Sequence, residues 1–382
     1  MAVAVICEFN PFHNGHAYLL RQVKQQKDQP VVAVMSGSFT QRGETAICSK
    51  FERAQTALRN GADLVVELPI VRAVSNAQRF ASGGVAVAGS FSCVDTLAFG
   101  CETDDLSLLS AAAEAAHSPD VQARVAELMS QGEYYPRALH QAVEAACGEQ
   151  TAQVLASPNN ILAVEYLRAV KGTGIEPLPI LRTGAAHDSD SPKDGFASAS
   201  LIRKKLRAGE DVSAYVPEVP REITDESLLE RVLLYRLRTM TAEELAALPE
   251  VSEGLENRIT DAVSKYNSIE EILSAVKTKR YIHARLRRIM VYALLGITES
   301  LQAQQPGYVR VLGMNDAGAS MLRDCRFEVV TSPAKTLKTS PCLRPFLEKD
   351  ILATDIAALA FDRVKQCGTD YLTKIIKENC AN

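Results

Sequence analysis

Two histidines and a glycine near the start of the chain have the spacing of a phosphate-binding turn. His13 and His16 flank Gly15 between an apolar run, Val3–Ile6, and a helix-like run that begins at Ala17. A turn from a buried strand into a helix leaves unpaired backbone amides, and the helix dipole favours an anion there. Gly15 lets the backbone approach a ligand because it has no Cβ. Imidazole N–H groups can then stabilise charge on a departing pyrophosphate.

This His-x-Gly-His tetrad resembles the nucleotide-binding signature of nucleotidyltransferases and class I aminoacyl-tRNA synthetases, in which the α-phosphate of ATP is attacked. The alternative interpretation is that Asn14 caps a helix and that both histidines are structural. The strand-turn-helix context favours the nucleotide-binding interpretation.

A second segment with suitable chemistry is the start of a predicted helix late in the first half. Ser198 and Ser200 offer hydroxyls beside helix amides, and Arg203 follows with a fixed pair of donors for phosphate. The same pattern alone also fits an ordinary N-cap with a basic face. Arg182 ends a predicted strand and so points toward the proposed pocket, and Gly100 would let a nucleotide lie against the backbone.

Two further polar stretches follow predicted strands. The loop Met35–Glu44 carries two glycines with Ser, Thr, Gln and Arg, which suits a polar ligand, but it lacks the residue order of a P-loop. Its alternative interpretation is a solvated turn. His187 beside Asp188 is either a base or a loop cap.

Composition and charge describe an ordinary globular protein of two or three domains. The 382 residues carry a formal net charge of -4, so RNA binding must come from local basic patches. Nine cysteines occur singly and none forms a CxxC pair, which disfavours a zinc site or a disulfide framework. No run approaches the ~20 apolar residues that cross a bilayer. We expect a soluble cytoplasmic protein with no membrane partner and no protein-held metal.

Short β-branched runs alternate with helical patterns through the first half. The predicted strands are Val3–Ile6, Val31–Met35, Asp63–Glu67, Asp95–Phe99 and Pro177–Leu181. The predicted helices between the early strands are Ala17–Gln25, Lys50–Arg59 and Gln78–Gly89. This alternation indicates an α/β fold with a parallel sheet covered on both faces, whose ligands bind beyond the carboxyl ends of the strands.

The chain divides near Val216–Pro220, where two prolines indicate a linker. We expect residues 1–208 to form a Rossmann-like HxGH nucleotidyltransferase domain, with a helical insertion at about 106–155. Residues 221–382 are expected to form a mostly helical C-terminal domain, for which the basic segment and the family resemblance described below imply tRNA binding. Within it we predict a strand at Val309–Leu312 and a helix over Asp350–Cys367.

A basic, partly aromatic segment in the second half is the candidate RNA-binding element. Its candidate contacts are Lys279, Arg280, Tyr281, Arg285 and Arg288. The last three share one helical face with Tyr292 by their spacing. Cations interleaved with aromatic rings suit phosphate contact and base stacking in single-stranded RNA. The alternative is a solvated helix face that lies over the core.

The ordered set of motifs closely resembles the bacterial tRNA(Met) cytidine acetate ligase family. The motifs are EFNPFHNGH, VMSGSFTQRGE, GADLVVELP, FGCE, SPNNILAVEYL, SASLIRKKL, KRYIHARLRRI and VRVLGMN, which end near Asn315. The resemblance implies that acetate and ATP give acetyl-adenylate and pyrophosphate, with Mg²⁺ on the triphosphate. The acetyl group then passes to the exocyclic amine of the wobble cytidine in elongator tRNA(Met). Phe9 and Ala186 depart from the family pattern, which has tyrosines there.

The resemblance also implies which residues contact ATP, including one of the pair Asn159–Asn160. The candidate catalytic residues are His13, His16 and Arg203. The candidate nucleotide-binding residues are Ile6, Cys7, Glu8, Phe9, Asn10, Pro11, Phe12, His13, Asn14, Gly15, His16, Ala17, Tyr18, Leu19, Gly100, Asn159, Asn160, Arg182, Ser198 and Ser200.

Three other functions share part of this pattern. A small-molecule adenylyltransferase has the same tetrad and serine-rich helix start, but it needs neither the basic segment nor the C-terminal domain. A class I aminoacyl-tRNA synthetase would carry a KMSKS-like loop, which the sequence lacks. A non-catalytic RNA-binding module would not need intact histidines. The sequence does not specify an oligomeric state.

Overall fold

A single mixed sheet forms the centre of the computed structural model, which describes residues 1–103, 105–182, 192, 195–278 and 281–378. The five predicted strands of the first half are confirmed to within two residues, and the second half adds three more. The strands are β1 Ala2–Cys7, β2 Val31–Ser36, β3 Leu64–Leu68, β4 Val94–Cys101, β5 Glu176–Leu181, β6 Tyr308–Met314, β7 Glu328–Val330 and β8 Ile376–Lys377.

The strand order is β5-β4-β1-β2-β3-β6-β7, with β8 paired to β6. The first five strands are parallel to one another. The sheet is not wholly parallel, because β6 lies antiparallel to β3. The second half of the chain therefore extends the sheet that the first half begins. The proposed division between 1–208 and 221–382 stays a prediction.

Helices cover the sheet and build the second half. In the first half they are α1 Asn14–Lys27, α2 Lys50–Arg59, α3 Ile70–Ala73, α4 Ala77–Ala88, α5 Leu106–His117, α6 Pro119–Ser130, α7 Tyr135–Cys147, α8 Glu149–Gln153, α9 Pro158–Val170 and α10 Ala199–Arg207. In the second half they are α11 Glu230–Thr239, α12 Ala242–Ala246, α13 Leu255–Lys265, α14 Ile269–Val276, α15 His283–Leu295, α16 Glu299–Ala303, α17 Asp316–Met321, α18 Pro333–Thr339, α19 Arg344–Ala357 and α20 Thr369–Leu372.

The side chains of β1 alternate between two cores, as successive residues of a strand must. Ala4 and Ile6 pack in the core formed with α4, α5 and α9. Val5 and Cys7 pack on the other face in the core formed with α1 and α2. All six residues of β1 are buried, which explains why its sequence is a continuous apolar run.

A third core is formed mainly by the helices of the second half. It contains residues of α11, α13, α14, α15 and α19, and it also includes Ile70 of α3 and Tyr308 of β6. The helix predicted over Asp350–Cys367 is corrected to Arg344–Ala357. Pro345 lies in its first turn, where the missing proline N–H leaves no hydrogen bond unmade. Among the described residues, no helix is both long and apolar enough to span a bilayer.

Candidate active site

The turn between β1 and α1 is organised by its two histidines. His13 is the N-cap of α1, and its Nδ1 accepts the Gly15 N–H at 3.0 Å. The Nδ1 of His16 accepts the His13 N–H at 3.2 Å, which completes a reciprocal cap. The helix thus starts three residues before the predicted Ala17. Asn14 is not the cap, since its side-chain amide donates to Gly195 O at 2.9 Å and to Ala214 O at 3.0 Å.

Both imidazoles are held neutral. Burial, together with the positive charges of Arg182 and Arg203, lowers the pKa of His13 to about 3. Burial, followed by His13 and Arg182, holds the pKa of His16 well below its usual value. Because each Nδ1 accepts a backbone N–H, the ring proton is assigned to Nε2. Each ring can therefore donate one hydrogen bond from Nε2 without carrying charge.

A cavity of about 1240 Å³ lies at the carboxyl ends of the strands and contains most of the predicted site. The predicted residues that line it are Ile6, Cys7, Glu8, Phe9, Asn10, His13, Gly15, His16, Tyr18, Leu19, Gly100, Asn159, Arg182, Ser198, Ser200 and Arg203. Segments separated by almost two hundred residues thus meet around one space.

Five residues predicted to contact the nucleotide do not line this cavity: Pro11, Phe12, Asn14, Ala17 and Asn160. Phe12 is 2% exposed and packs in the core beneath α1, so its place in the motif is explained by packing. Pro11 lies with Phe12 at a separate small surface depression. The stretch from Ile6 to Leu19 therefore contains residues that line the cavity and others that pack beneath or beside it.

The asparagine pair at the start of α9 is resolved by its contacts. Asn160 is 5% exposed, and its Oδ1 accepts the Glu102 N–H at 2.8 Å, which ties the helix to the end of β4. Asn159 lines the cavity, and its Nδ2 donates to Glu102 Oε1 at 2.7 Å. The position that can meet a ligand is Asn159.

Arginines approach the histidines from two further elements. Arg203 of α10 donates from Nη1 to Asn10 O at 2.9 Å, so its position is fixed by the histidine turn. Burial lowers the pKa of Arg203 and of Arg182, although nearby carboxylates oppose the change. Gly100 lies inside β4 rather than after it, and a Cβ there would meet Arg182 Cγ at 3.4 Å. A side chain at Gly100 would therefore make an ordinary packing contact with Arg182.

Ser198 and Ser200 stand at the start of α10, as predicted. Ser198 is the N-cap, with its Oγ accepting the Leu201 N–H at 3.1 Å. The hydroxyls of Ser198 and Ser200 are 3.0 Å apart. A helix start that faces the same cavity as two arginines is suited to an anion.

Two charged residues support the site: Arg53, which the sequence analysis missed, and Glu44, which ends the polar loop that it singled out. Arg53 of α2 is 1% exposed and donates to the carbonyls of Glu8 at 2.6 Å, Ser36 at 3.0 Å and Gly37. It therefore joins the carboxyl ends of β1 and β2. Glu44 pairs with Arg287 and lies 3.8 Å from Arg203, so it links α10 to α15. No local pattern marks Arg53, since it acts on segments that are distant in the chain.

The basic segment differs from the exposed face that its spacing suggests. Arg288 is 7% exposed and forms a double contact with Glu250, with Nε–Oε1 at 2.9 Å and Nη2–Oε2 at 2.6 Å. Arg285 donates to the Glu250 carbonyl at 2.6 Å and covers the ring of Tyr281. Tyr292 is fully buried and donates to Val74 O at 3.0 Å.

This inward orientation corrects the expectation of an exposed aromatic and basic face. Both arginines donate hydrogen bonds to Glu250, which lies in a separate loop. Arg285 and Arg288 nevertheless line the cavity. Lys279 and Arg280 lie outside the described residues, as do His187 and Asp188. RNA binding by the segment stays a prediction.

Acidic groups near the histidines do not form a metal cage. Within the described parts of the chain, no group of three or more His, Cys, Asp or Glu residues could hold a metal ion. Glu8 lines the cavity, and its Oε1 accepts the Gln41 N–H at 2.6 Å. Burial raises the pKa of Glu8, and the hydrogen bond from Gln41 opposes that rise.

Comparison with known proteins places this geometry among nucleotidyltransferases. A model of the family described as HIGH nucleotidyl transferase matches residues 1–370. The tRNA(Met) cytidine acetate ligase of Thermoanaerobacter sp. (strain X514) is 37% identical over 400 residues, covering 98% of this chain and 99% of that protein. The ligase of the same name from Bacillus licheniformis is 36% identical over 382 residues, with 93% and 91% covered.

Solved structures give the same relationship. The chain is similar to the crystal structure of apo Thermotoga maritima TmcAL, with a TM-score of 0.91, 28% identity and 99% of each chain covered. It is also similar to Thermotoga maritima TmcAL bound with alpha-thio ATP, with a TM-score of 0.88 at the same identity and coverage. One of these two similar structures therefore contains a bound ATP analogue.

Proposed function

The chain belongs to the tRNA(Met) cytidine acetate ligase family, within the HIGH nucleotidyl transferases, and we propose that it performs the ligase reaction. In this reaction ATP and acetate give acetyl-adenylate and pyrophosphate, and the acetyl group then acylates the exocyclic amine of the wobble cytidine in elongator tRNA(Met). The observation that carries the proposal is the single cavity that brings the histidine turn, Arg182, Arg203 and Ser198 together.

The first step needs little more than alignment and charge stabilisation. An acetate oxygen attacks the α-phosphorus, and the bond to the bridging oxygen of pyrophosphate breaks. We propose that the Nε2–H groups of His13 and His16 donate to phosphate oxygens as charge moves onto the leaving group. A neutral imidazole whose proton lies on Nε2 can donate one such hydrogen bond at neutral pH while its Nδ1 accepts the backbone N–H.

Arg203 and the start of α10 are proposed to hold the phosphates. Arg203 is fixed by Asn10 O and offers its remaining N–H groups as a preorganised donor. Ser198 and Ser200 present hydroxyls at the same helix start. On the nucleoside side we propose Gly100, Asn159 and Arg182, all of which line the cavity.

Mg²⁺ is proposed to arrive with ATP. The described residues form no carboxylate cage, and Mg²⁺ commonly binds through substrate phosphates with few protein ligands. Such an ion would neutralise charge on the triphosphate. The half-buried Glu8 carboxylate is the acidic side chain that the histidine motif itself presents to the cavity.

The tRNA is proposed to approach the mouth of the cavity beside α10 and α15. Arg42 lines the cavity and is exposed, and Arg287 keeps 41% of its side chain exposed while paired with Glu44. Cations at a cavity mouth suit contact with RNA phosphates. Because tRNA is its proposed substrate, we propose that the protein acts in the cytoplasm.

Chemical analysis of the RNA product tests the proposed function. Purified protein would be incubated with ATP, acetate and tRNA, and the tRNA would be digested to nucleosides for mass spectrometry. We expect N4-acetylcytidine only when both ATP and acetate are present, and only from elongator tRNA(Met). Unmodified cytidine in complete reactions, with a known ligase positive in parallel, would contradict the proposal.

A further inference from the structure

The cavity extends beyond the residues assigned to ATP, across the carboxyl edge of β1. The histidine turn and α1 lie on the face of the sheet that carries the Cys7 side chain. Helices α4 and α9 lie on the opposite face, which carries the Ile6 side chain. On the Ile6 side, helices of the insertion form the wall. We call this part of the cavity the second arm, and the residues that line it include Ala126, Met129, Tyr134, Tyr135, Leu162 and Glu165. No residue proposed above to contact the triphosphate lies on the insertion helices of this arm.

A carboxylate lacking a hydrogen-bond donor lies in this second arm. The side chain of Glu165, on α9, is 13% exposed, and its Oε2 accepts no hydrogen bond from the described residues. Arg168 Nη1 stands 3.6 Å from Oε2, and His117 Nε2 stands 3.7 Å from Oε1. Buried carboxylates in proteins normally accept hydrogen bonds, since leaving one unmade is costly. Glu165 also lines the cavity, so its carboxylate can accept an N–H group from a ligand bound there.

Two consecutive tyrosines stand at the same place. Tyr134 is 36% exposed and Tyr135 is 45% exposed, and both line the cavity. Burial and then the Glu165 carboxylate raise the pKa of Tyr135, so the ring lies within electrostatic reach of that carboxylate. Met129 and Leu162 add apolar surface around them. An aromatic ring beside an apolar wall is a stacking site for an unpaired base.

We infer that this arm, formed by Tyr134, Tyr135 and Glu165, receives the acceptor cytosine turned out of the anticodon loop. This inference rests on the proposed function, because it is the acetyl acceptor that must enter beside the adenylate. The base stacks on the tyrosines, and its exocyclic amine donates to Glu165. Cytosine presents an amine where uracil presents a carbonyl oxygen. The carboxylate would therefore accept cytosine and repel uracil.

Stacking is tested by a pair of substitutions at one tyrosine. Tyr135→Leu removes the ring, and Tyr135→Phe keeps it. For acetylation of an anticodon stem-loop RNA, we expect the leucine variant to raise the KM for RNA about tenfold or more, the scale of one lost base stack. The phenylalanine variant should stay within about threefold of the wild type. Tyr235→Leu, at a 70% exposed tyrosine on α11, is the matched control.

The same variants identify the base that occupies the arm. Acetate-dependent ATP–pyrophosphate exchange without RNA reports the KM for ATP. A higher KM for ATP with an unchanged KM for RNA would overturn the inference and assign the arm to adenine. Unchanged values for both would also overturn it. Absence of exchange in the wild type, both with and without RNA, would instead contradict the proposed function, so the two failures are distinguishable.

Glu165→Gln tests the recognition of the amine. A glutamine presents both an acceptor and a donor, so its variant should discriminate less between cytosine and uracil. A stem-loop RNA with uridine at the acceptor position should inhibit acetylation by the variant at least fivefold more strongly than by the wild type, about 1 kcal/mol. Equal inhibition of both enzymes would overturn the role of Glu165. Glu144→Gln, on the exposed side of α7, is the control.

Discussion

The imidazole rings of His13 and His16 are stacked, with centroids 3.7 Å apart and planes 21° from parallel. Each ring also accepts a backbone N–H through Nδ1 at the start of α1. The capping arrangement therefore does two things at once: it starts the helix, and it leaves both Nε2–H groups available. The structural and the functional interpretations of the histidines, which the sequence analysis treated as alternatives, are therefore compatible.

Replacing His16 should separate these two roles. We expect His16→Ala to reduce the rate of adenylate formation by about a hundredfold, the scale of losing one preorganised donor. The loss of its cap contact should cost only about 1 kcal/mol of stability. Acetate-dependent pyrophosphate exchange and urea unfolding measure the two effects. His140→Ala, at a partly exposed histidine on α7, is the control, and near-normal exchange in His16→Ala would refute the assignment.

The low pKa of His13 makes a pH-dependent contribution to stability. Its folded pKa of about 3 lies below the ordinary 6.5, so the unfolded chain binds a proton that the folded chain does not. The contribution is complete above pH 6.5 and is lost as the pH falls toward 3. From pH 6.5 to about pH 5 the expected loss is about 1.5 kcal/mol.

His13→Asn, which keeps a capping side chain, should show a smaller loss of unfolding free energy over the same pH interval by about that amount. Urea unfolding at both pH values measures the difference. An equal loss in wild type and variant would show that His13 titrates normally in the folded protein.

Arg288 should prove to be a structural residue. Removing it leaves the Glu250 carboxylate, which is 12% exposed, without its double contact. Breaking a buried pair in this way typically costs about 3–5 kcal/mol. We expect Arg288→Ala to lose about that much in urea unfolding. Arg124→Ala breaks a surface pair whose partners are 49% and 53% exposed, and it should cost no more than about 1 kcal/mol. Similar small losses in both variants would contradict this account.

Gly43 tests how the loop after β2 is held against α15. Its φ is +79°, and a Cβ there would meet backbone atoms of Arg287 and Arg288 at 2.6 Å. Gly43→Ala should therefore displace the loop that carries Arg42 and Glu44, lowering both stability and exchange activity. Gly172→Ala is the matched control, since its φ is also +79° with nothing within 4 Å.

Both alanines carry the strain of a positive φ, about 1 kcal/mol. The excess loss in Gly43→Ala measures the contact with α15 alone. If the two variants lose equal stability and activity, the packing of the loop on α15 has no role in the site.

Local sequence pattern predicted those strands, turns and helix starts whose signals lie in neighbouring residues. The buried run Val3–Ile6, the glycine of the turn and the capping serine before Leu201 each carry their own signal. Lys50–Arg59 was predicted with its observed bounds, because Ser49 caps it and apolar residues recur at helical spacing. The resemblance to a family added the asparagine pair, which no local pattern distinguishes, whereas Arg182 was also indicated by its place at the end of a predicted strand.

The remainder depends on contacts between distant segments. Antiparallel pairing of β6 with β3 joins residues about 250 apart, and no periodicity encodes it. The orientation of Arg288 is set by Glu250 in a separate loop, so spacing alone gave a face that the fold turns inward. The choice between Asn159 and Asn160 depends on Glu102, at the end of another strand.

Exchange of labelled pyrophosphate into ATP tests the central claim most directly. The assay would use purified protein with acetate added or omitted, and each condition would be run with and without tRNA. We predict exchange that requires acetate, is reduced about a hundredfold in His16→Ala, and is unaffected in His140→Ala. Absence of acetate-dependent exchange in every condition, with the protein folded, would contradict the assignment of carboxylate activation to this cavity.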